Sequence, residues 1–260
     1  MAPLFLHRTQ IARALCGLAI LMMQHAPGAA EGIAGRLADL ALDRGGLLLG
    51  ERHRRPESVR LFLEVVQGLS ARGACPVIGL EISEAEQPAL DRLAAGDTTA
   101  EAIRIPSVID HPAYRELLAA LAELSRTGCA RLLAIDSSSA SNAPRPAVMF
   151  RRVAPYAGVQ PVVVLVGNIH TLKRIDWPPS VPPRVRAPEL GEQLAAAGFP
   201  WVSVLQHWPG ECAGPRRGRL APIESEAGRA AVGMTFAPMA ADAPHDPRAA
   251  ADLVVSWDYR

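Results

Sequence analysis

Glu51 and His53 stand two residues apart at the end of the apolar run 46–50. In extended backbone that spacing puts a carboxylate and an imidazole on the same side of the chain. Such a pair can orient and deprotonate a water, or offer oxygen and nitrogen to a metal ion. Glu81 ends the run 77–80 in the same way, Asp136 ends 132–135, and Asn168-Ile169-His170 follow 162–167. Two neighbouring carboxylates push one pKa upward, which suits proton transfer near neutrality. His170 adds a second base, a metal ligand or a stabiliser of a developing oxyanion. Asp136 is a fifth candidate, in the site or paired with an arginine such as Arg54. Taken singly, each is also an ordinary surface carboxylate or capping histidine; reactive groups at the ends of four such runs point to a site.

The elements that must position them are short, continuous apolar runs separated by helical patterns, the mark of buried parallel strands. In open α/β sheets the ligand site lies beyond the carboxyl ends of such strands. Helices are expected over 34–42, from Pro56 to Gly73 with Val59, Leu63, Val66 and Leu69 inward, over 89–95, and from Pro112 to Gly128 with Tyr114, Leu117, Leu118, Leu121 and Leu124 inward. Further helices are expected around 148–156 and 190–197, and further strands over 201–205 and 252–257. Segments 210–218 and 237–247 read as exposed loops, and 177–188 as a proline-rich connection. The expected fold is a single α/β domain with a mainly parallel central sheet flanked by helices and a loop-rich C-terminal third. Asp110, His111 and His207 also border strand or helix ends, as caps or as pocket residues. Ser137, Ser138 and Ser139 read as loop formers.

The chain has 260 residues, is 49% hydrophobic and carries a formal charge of +1, so it offers no electrostatic footprint for nucleic acid. Residues 1–30 combine Arg8 and Arg13, the apolar stretch 14–23 and the small residues Gly28-Ala29-Ala30, which fits a cleaved secretory signal peptide better than the alternative of a short N-terminal anchor or buried helix. The mature domain is then expected to be 31–260, periplasmic or extracellular, with no membrane span after cleavage. Cys75 and Cys129 occupy matching places before two candidate neighbouring strands, as a disulfide or as two thiols. GxSxG, HExxH, Walker and GxGxxG motifs are absent, so any hydrolysis uses activated water or a less common nucleophile.

Gly50-Glu51-Arg52-His53, Gly79-Leu80-Glu81 and Gly167-Asn168-Ile169-His170, in that order and strand context, resemble the erythromycin esterase/ChaN/Tiki superfamily. The ChaN-like branch is the nearest in size, leader and motif spacing. The resemblance spans roughly residues 47–170. It implies lactone hydrolysis by glutamates, histidine and water in one branch, metal-dependent proteolysis in another, and exported haem binding in the third. This chain departs from the third by lacking a lipobox and by having only Tyr114, Tyr156 and Tyr259 as tyrosines. The resulting expectation is an exported hydrolase of an ester, lactone or amide, on a small-molecule or peptide substrate. In it His53 and Glu51 activate water, Glu81 donates or orients a proton, and His170 stabilises the tetrahedral intermediate. A divalent metal, zinc or manganese, is a candidate cofactor on Glu51, His53, Glu81, His170 and Asp136. The alternative is a non-catalytic exported protein that binds haem or a metal-containing ligand.

Overall fold

A computed structural model describes residues 32–175, 177, 186–210, 216–236 and 246–259. The proposed leader, Cys212 and most of the proline-rich connection lie outside the described residues. Among the described residues four helix-then-strand units come first: α1 (Ile33–Arg44), β1 (Gly46–Glu51), α2 (Pro56–Ala71), β2 (Val77–Ser83), α3 (Gln87–Ala95), α4 (Pro112–Arg126), β3 (Arg131–Asp136), α5 (Arg145–Val153) and β4 (Val162–Gly167). They are followed by α6 (Leu190–Ala196), β5 (Val202–His207), β6 (Arg216–Pro222), α7 (Glu226–Phe236), α8 (Pro247–Ala250) and β7 (Leu253–Tyr259). The strands form one sheet in the order β3-β2-β4-β1-β5-β7-β6, parallel except for β6 against β7. The expected α/β fold with a mainly parallel sheet is the observed one.

Alternation along the buried strands separates two cores. Leu47, Leu49, Ile78, Leu80, Val163 and Leu165 face α1, α2 and α4, where Phe62, Leu69, Tyr114 and Leu121 meet them. Leu48, Val77, Leu133, Ile135, Val164 and Val166 face α5 and α6 through Met149, Val153, Leu190 and Leu194. Truncating fully buried Phe62 to alanine would cost about 3–5 kcal/mol. On α2 the inward row includes Phe62 and Val65, whereas Leu63 is only partly buried. Gly73 and Gly128 end α2 and α4 at φ 76°, a left-handed conformation that favours glycine.

The C-terminal third is loop-rich, as expected, and among its described residues it also holds β6 and α7. Residues read as the end of an exposed loop begin β6, and α7 covers β5 although it was not anticipated. The stretch 216–222 carries three arginines, and its strand state comes from pairing with β7 rather than from an apolar pattern. At the opposite edge, Gln87 lies along β3: its amide accepts from Ala134 N at 2.9 Å and donates to Leu132 O at 3.0 Å. Arg152 Nε completes the cover by donating to Ala134 O at 2.9 Å.

Candidate functional site

The order β3-β2-β4-β1 makes the carboxyl ends carrying Asp136, Glu81, His170 and Glu51 four consecutive neighbours. At the β1 end Glu51 is 4% exposed, and its Oε1 lies 3.0 Å from Nδ1 of His53. The His53 side chain is 39% exposed and stands on the tight turn between β1 and α2. That turn is closed by Arg55 N donating to Arg52 O at 3.2 Å and by Arg54 at φ 62°. Burial pushes the Glu51 carboxyl upward, partly offset by His53; the hydrogen bond that His53 makes to Glu51 pushes the imidazole upward against its own burial.

Gly50 and Asn168 hold this corner together. Asn168 accepts from Gln206 N at 3.1 Å and donates to Gln206 O at 2.9 Å, bridging from the end of β4 to β5 across β1. A Cβ on Gly50 would lie 2.2 Å from Asn168 Oδ1, so the approach requires glycine. Gln206 also donates to Gly50 O at 2.6 Å and accepts from Trp257 Nε1 at 2.7 Å.

Glu81 is pinned on both oxygens. Oε2 accepts from Gly167 N at 2.6 Å, and Oε1 accepts from Arg145 Nη2. The same guanidinium donates to Asp136 through Nε at 2.6 Å and Nη2 at 2.9 Å. Arg145, not Arg54, is therefore the partner of Asp136; Arg54 donates to Ser107 O at 3.1 Å. Burial opposes the Arg145 charge, but Asp136 and Glu81 more than offset it and hold its pKa above the ordinary value. His170 Nε2 is 3.9 Å from Glu81 Oε1, and its Nδ1 is 2.6 Å from Glu189 Oε2. Beneath the cluster the Tyr114 phenol is wholly buried. Burial, reinforced by Glu51, Glu81 and Asp136, raises its pKa well above the ordinary value.

Of the cluster, Glu51 and His53 line a cavity of about 380 Å³, together with Gly167, Asn168, Gln206, His207, Trp208 and Met234. A second cavity, of about 560 Å³, shares Arg52, His207, Trp208 and Met234 with it. Glu51 and His53 thus face the cleft, while Glu81, Asp136 and His170 are buried beside it. His207 lies on the wall common to both cavities, and burial lowers its pKa. Asp110 is engaged by Arg115 at 2.9 and 2.7 Å, and neither it nor His111 lines the cleft.

Arg145 and Glu189 were not read from the sequence. One opens α5 after a Ser/Pro loop, and the other caps α6 after the proline-rich connection. The signals available were weak: an Arg-Pro pair at a helix start, and the Glu189-x-x-Glu192 spacing of a capping box. The donor set does not fit the zinc or manganese ion considered above. Glu81 and Asp136 are committed to Arg145, and among the described residues no three His, Cys, Asp or Glu side chains are grouped to hold a metal.

The family model for haem-binding uptake proteins of the Tiki superfamily, ChaN, matches residues 37–139, which include Glu51, His53, Glu81 and Asp136. Over those residues, about two-fifths of its length, the chain is similar to the ChaN/Tiki superfamily. Two solved structures share its fold over nearly its full length. The type III effector HopBA1 superimposes with a TM-score of 0.52 at 12% identity, covering 89% of this chain and 95% of that one. ChaN of Campylobacter jejuni, with cofacially bound haem, superimposes with a TM-score of 0.51 at 13% identity, covering 88% and 92%. At such identities the likeness to these two structures is one of fold. No curated protein matches the chain. No helix among the described residues is long and apolar enough to cross a membrane.

Proposed function

We propose that the protein hydrolyses an ester, lactone or amide with water activated by the Glu51–His53 pair. The observation carrying this reading is a buried carboxylate hydrogen-bonded to the Nδ1 of a part-exposed imidazole that lines an open cleft. Glu51 fixes the tautomer, so that Nδ1–H donates to its carboxylate and Nε2 is left as base. Nε2 takes a proton from water as the water oxygen adds to the substrate carbonyl carbon. The same proton passes to the leaving oxygen or nitrogen as the C–O or C–N bond breaks. Arg145, with its side chain 42% exposed, brings a fixed positive charge to the Glu81 side and is assigned to the developing oxyanion. This replaces the oxyanion role that the sequence suggested for His170, which is buried and committed to Glu189. His170 is assigned instead to holding Glu81.

Turnover on a panel of ester, lactone and peptide substrates tests the reading. Activity lost in both Glu51→Gln and His53→Ala supports it. Activity unchanged in either variant, or no turnover on any substrate class, rejects it.

A second reading is haem binding in the same cleft, favoured by the family match and by the cleft wall. Trp208 and half-exposed Met234 would give apolar contact, and His207 or His53 would offer an imidazole to hold the group. Bound haem would supply a redox-active iron, with these residues holding the macrocycle and excluding water. Titration with haem separates the readings: a Soret shift abolished by His207→Ala, without hydrolysis, favours this one. Export is part of either reading, with 1–30 proposed as a cleaved leader. N-terminal sequencing of protein from its native host tests it, and recovery of an intact start in the cytosol rejects it.

A further inference from the structure

Outside the cleft, the chain places two thiols together at the far end of the sheet. Val77 pairs with Arg131 where β2 and β3 begin, and Arg131 N donates to Pro76 O at 3.1 Å. Two residues earlier the same register sets Cys75 opposite Cys129. Their sulfurs are 2.8 Å apart, although 54 residues separate them in the chain. The two approaches are built alike: α2 ends at Gly73 and α4 at Gly128, both at φ 76°, and each then turns directly into its cysteine and strand. Cys75 is exposed and Cys129 half-buried, so the pair is open to a reagent from solvent. Cys129 Sγ also lies 3.5 Å from Ala74 O, a contact that keeps it turned toward its neighbour.

We propose that Cys75 and Cys129 form a disulfide that staples the amino ends of β2 and β3. The oxidant is an external disulfide, either a small one such as oxidised glutathione or that of a dithiol oxidase. The more exposed Cys75 thiolate attacks it, forming a mixed disulfide and releasing one thiol. The Cys129 thiolate then attacks the Cys75 sulfur, closing the bridge and releasing the second thiol. The two protein thiols lose two protons and two electrons, and the external disulfide gains them. A loop of this length, closed in the unfolded chain, stabilises the native state. The staple sits at the opposite end of β2 and β3 from Glu81 and Asp136, so the site chemistry does not depend on it.

The test uses the full chain treated with oxidised glutathione and then alkylated without reductant. The expected result is loss of the mass of two hydrogen atoms, with a linked peptide pair containing Cys75 and Cys129. Oxidised wild type should also melt several degrees above its reduced form, a difference absent from Cys75→Ser. Comparing the two forms of one wild-type preparation keeps the measurement independent of how the variant folds. Alkylation of both thiols after oxidation, or a linkage of either one to Cys16 or Cys212, overturns the proposal.

Discussion

Glu51 is almost wholly withdrawn from water, while its partner His53, two residues on and 3.0 Å away, keeps about two-fifths of its side chain exposed. The asymmetry assigns the inner group to orientation and the outer one to proton transfer. Replacing either, as Glu51→Gln or His53→Ala, should lower kcat/KM by about 100- to 10,000-fold, the range of a lost general base. Circular dichroism should show the fold retained in His53→Ala. Steady-state kinetics on the first substrate found in the panel is the deciding measurement.

The pH profile should carry the signature of the same pair. Glu51 raises the His53 pKa above its ordinary 6.5, and the neutral imidazole is the base. Activity should therefore rise with pH through an inflection above 6.5, and in Glu51→Gln the residual activity should inflect at lower pH. Stability runs the other way. A histidine whose folded pKa lies above its unfolded one contributes stability fully below the unfolded value and loses it as pH rises through the folded value. Urea unfolding of wild type against His53→Ala, from pH 5 to 9, should show their difference shrinking as pH rises.

Removing Arg145 strips the common partner from Glu81 and Asp136. A fully buried pair broken on one side costs about 3–5 kcal/mol. Because Arg145 is partly solvated, Arg145→Ala should cost about 1–3 kcal/mol after screening. Arg145→Lys should recover only part of that, because an ammonium cannot reproduce the fork. Denaturant midpoints at neutral pH provide the comparison.

Two glycines should separate activity from folding. A methyl on Gly167 would sit 3.4 Å from His53 Cε1 and 3.8 Å from Glu81 Oε2, ordinary contact distances. Gly167→Ala should therefore fold normally yet lose about 10- to 100-fold in turnover, by crowding the approach to Nε2. Gly191→Ala should instead destabilise by about 1–3 kcal/mol, since its Cβ would lie 2.4 Å from the backbone oxygens of Thr171 and Leu172. Thermal melts and kinetics on both variants check the split.

The parallel strands were legible because each is buried on both faces and so reads as an unbroken apolar run. The reactive residues were legible because they stand where those runs stop. Arg145 and Glu189 were not, for a physical reason: each enters the cluster from a connection, and loop paths follow from tertiary packing rather than local periodicity. The pairing of Asp136 shows the limit directly. Arg54 was the arginine suggested by the sequence, yet the chain turns it outward to Ser107, and Arg145 arrives from α5. Likewise β6 carries arginines where an apolar run would be expected, because an edge strand paired on one side can leave its other side to water.

Gln87 and Arg152 along β3 bear on how these molecules behave when crowded together. A bare outer strand invites a second copy to dock and continue the sheet. Here the carbonyls of Leu132 and Ala134 and the amide of Ala134 are already taken, so an incoming chain finds no ladder to join at that rim. At the other rim Arg217 and Arg219 would set like charges against like. Concentrated samples should therefore resist the strand-by-strand growth that seeds fibrils, and Gln87→Ala is the change that would reopen the first rim.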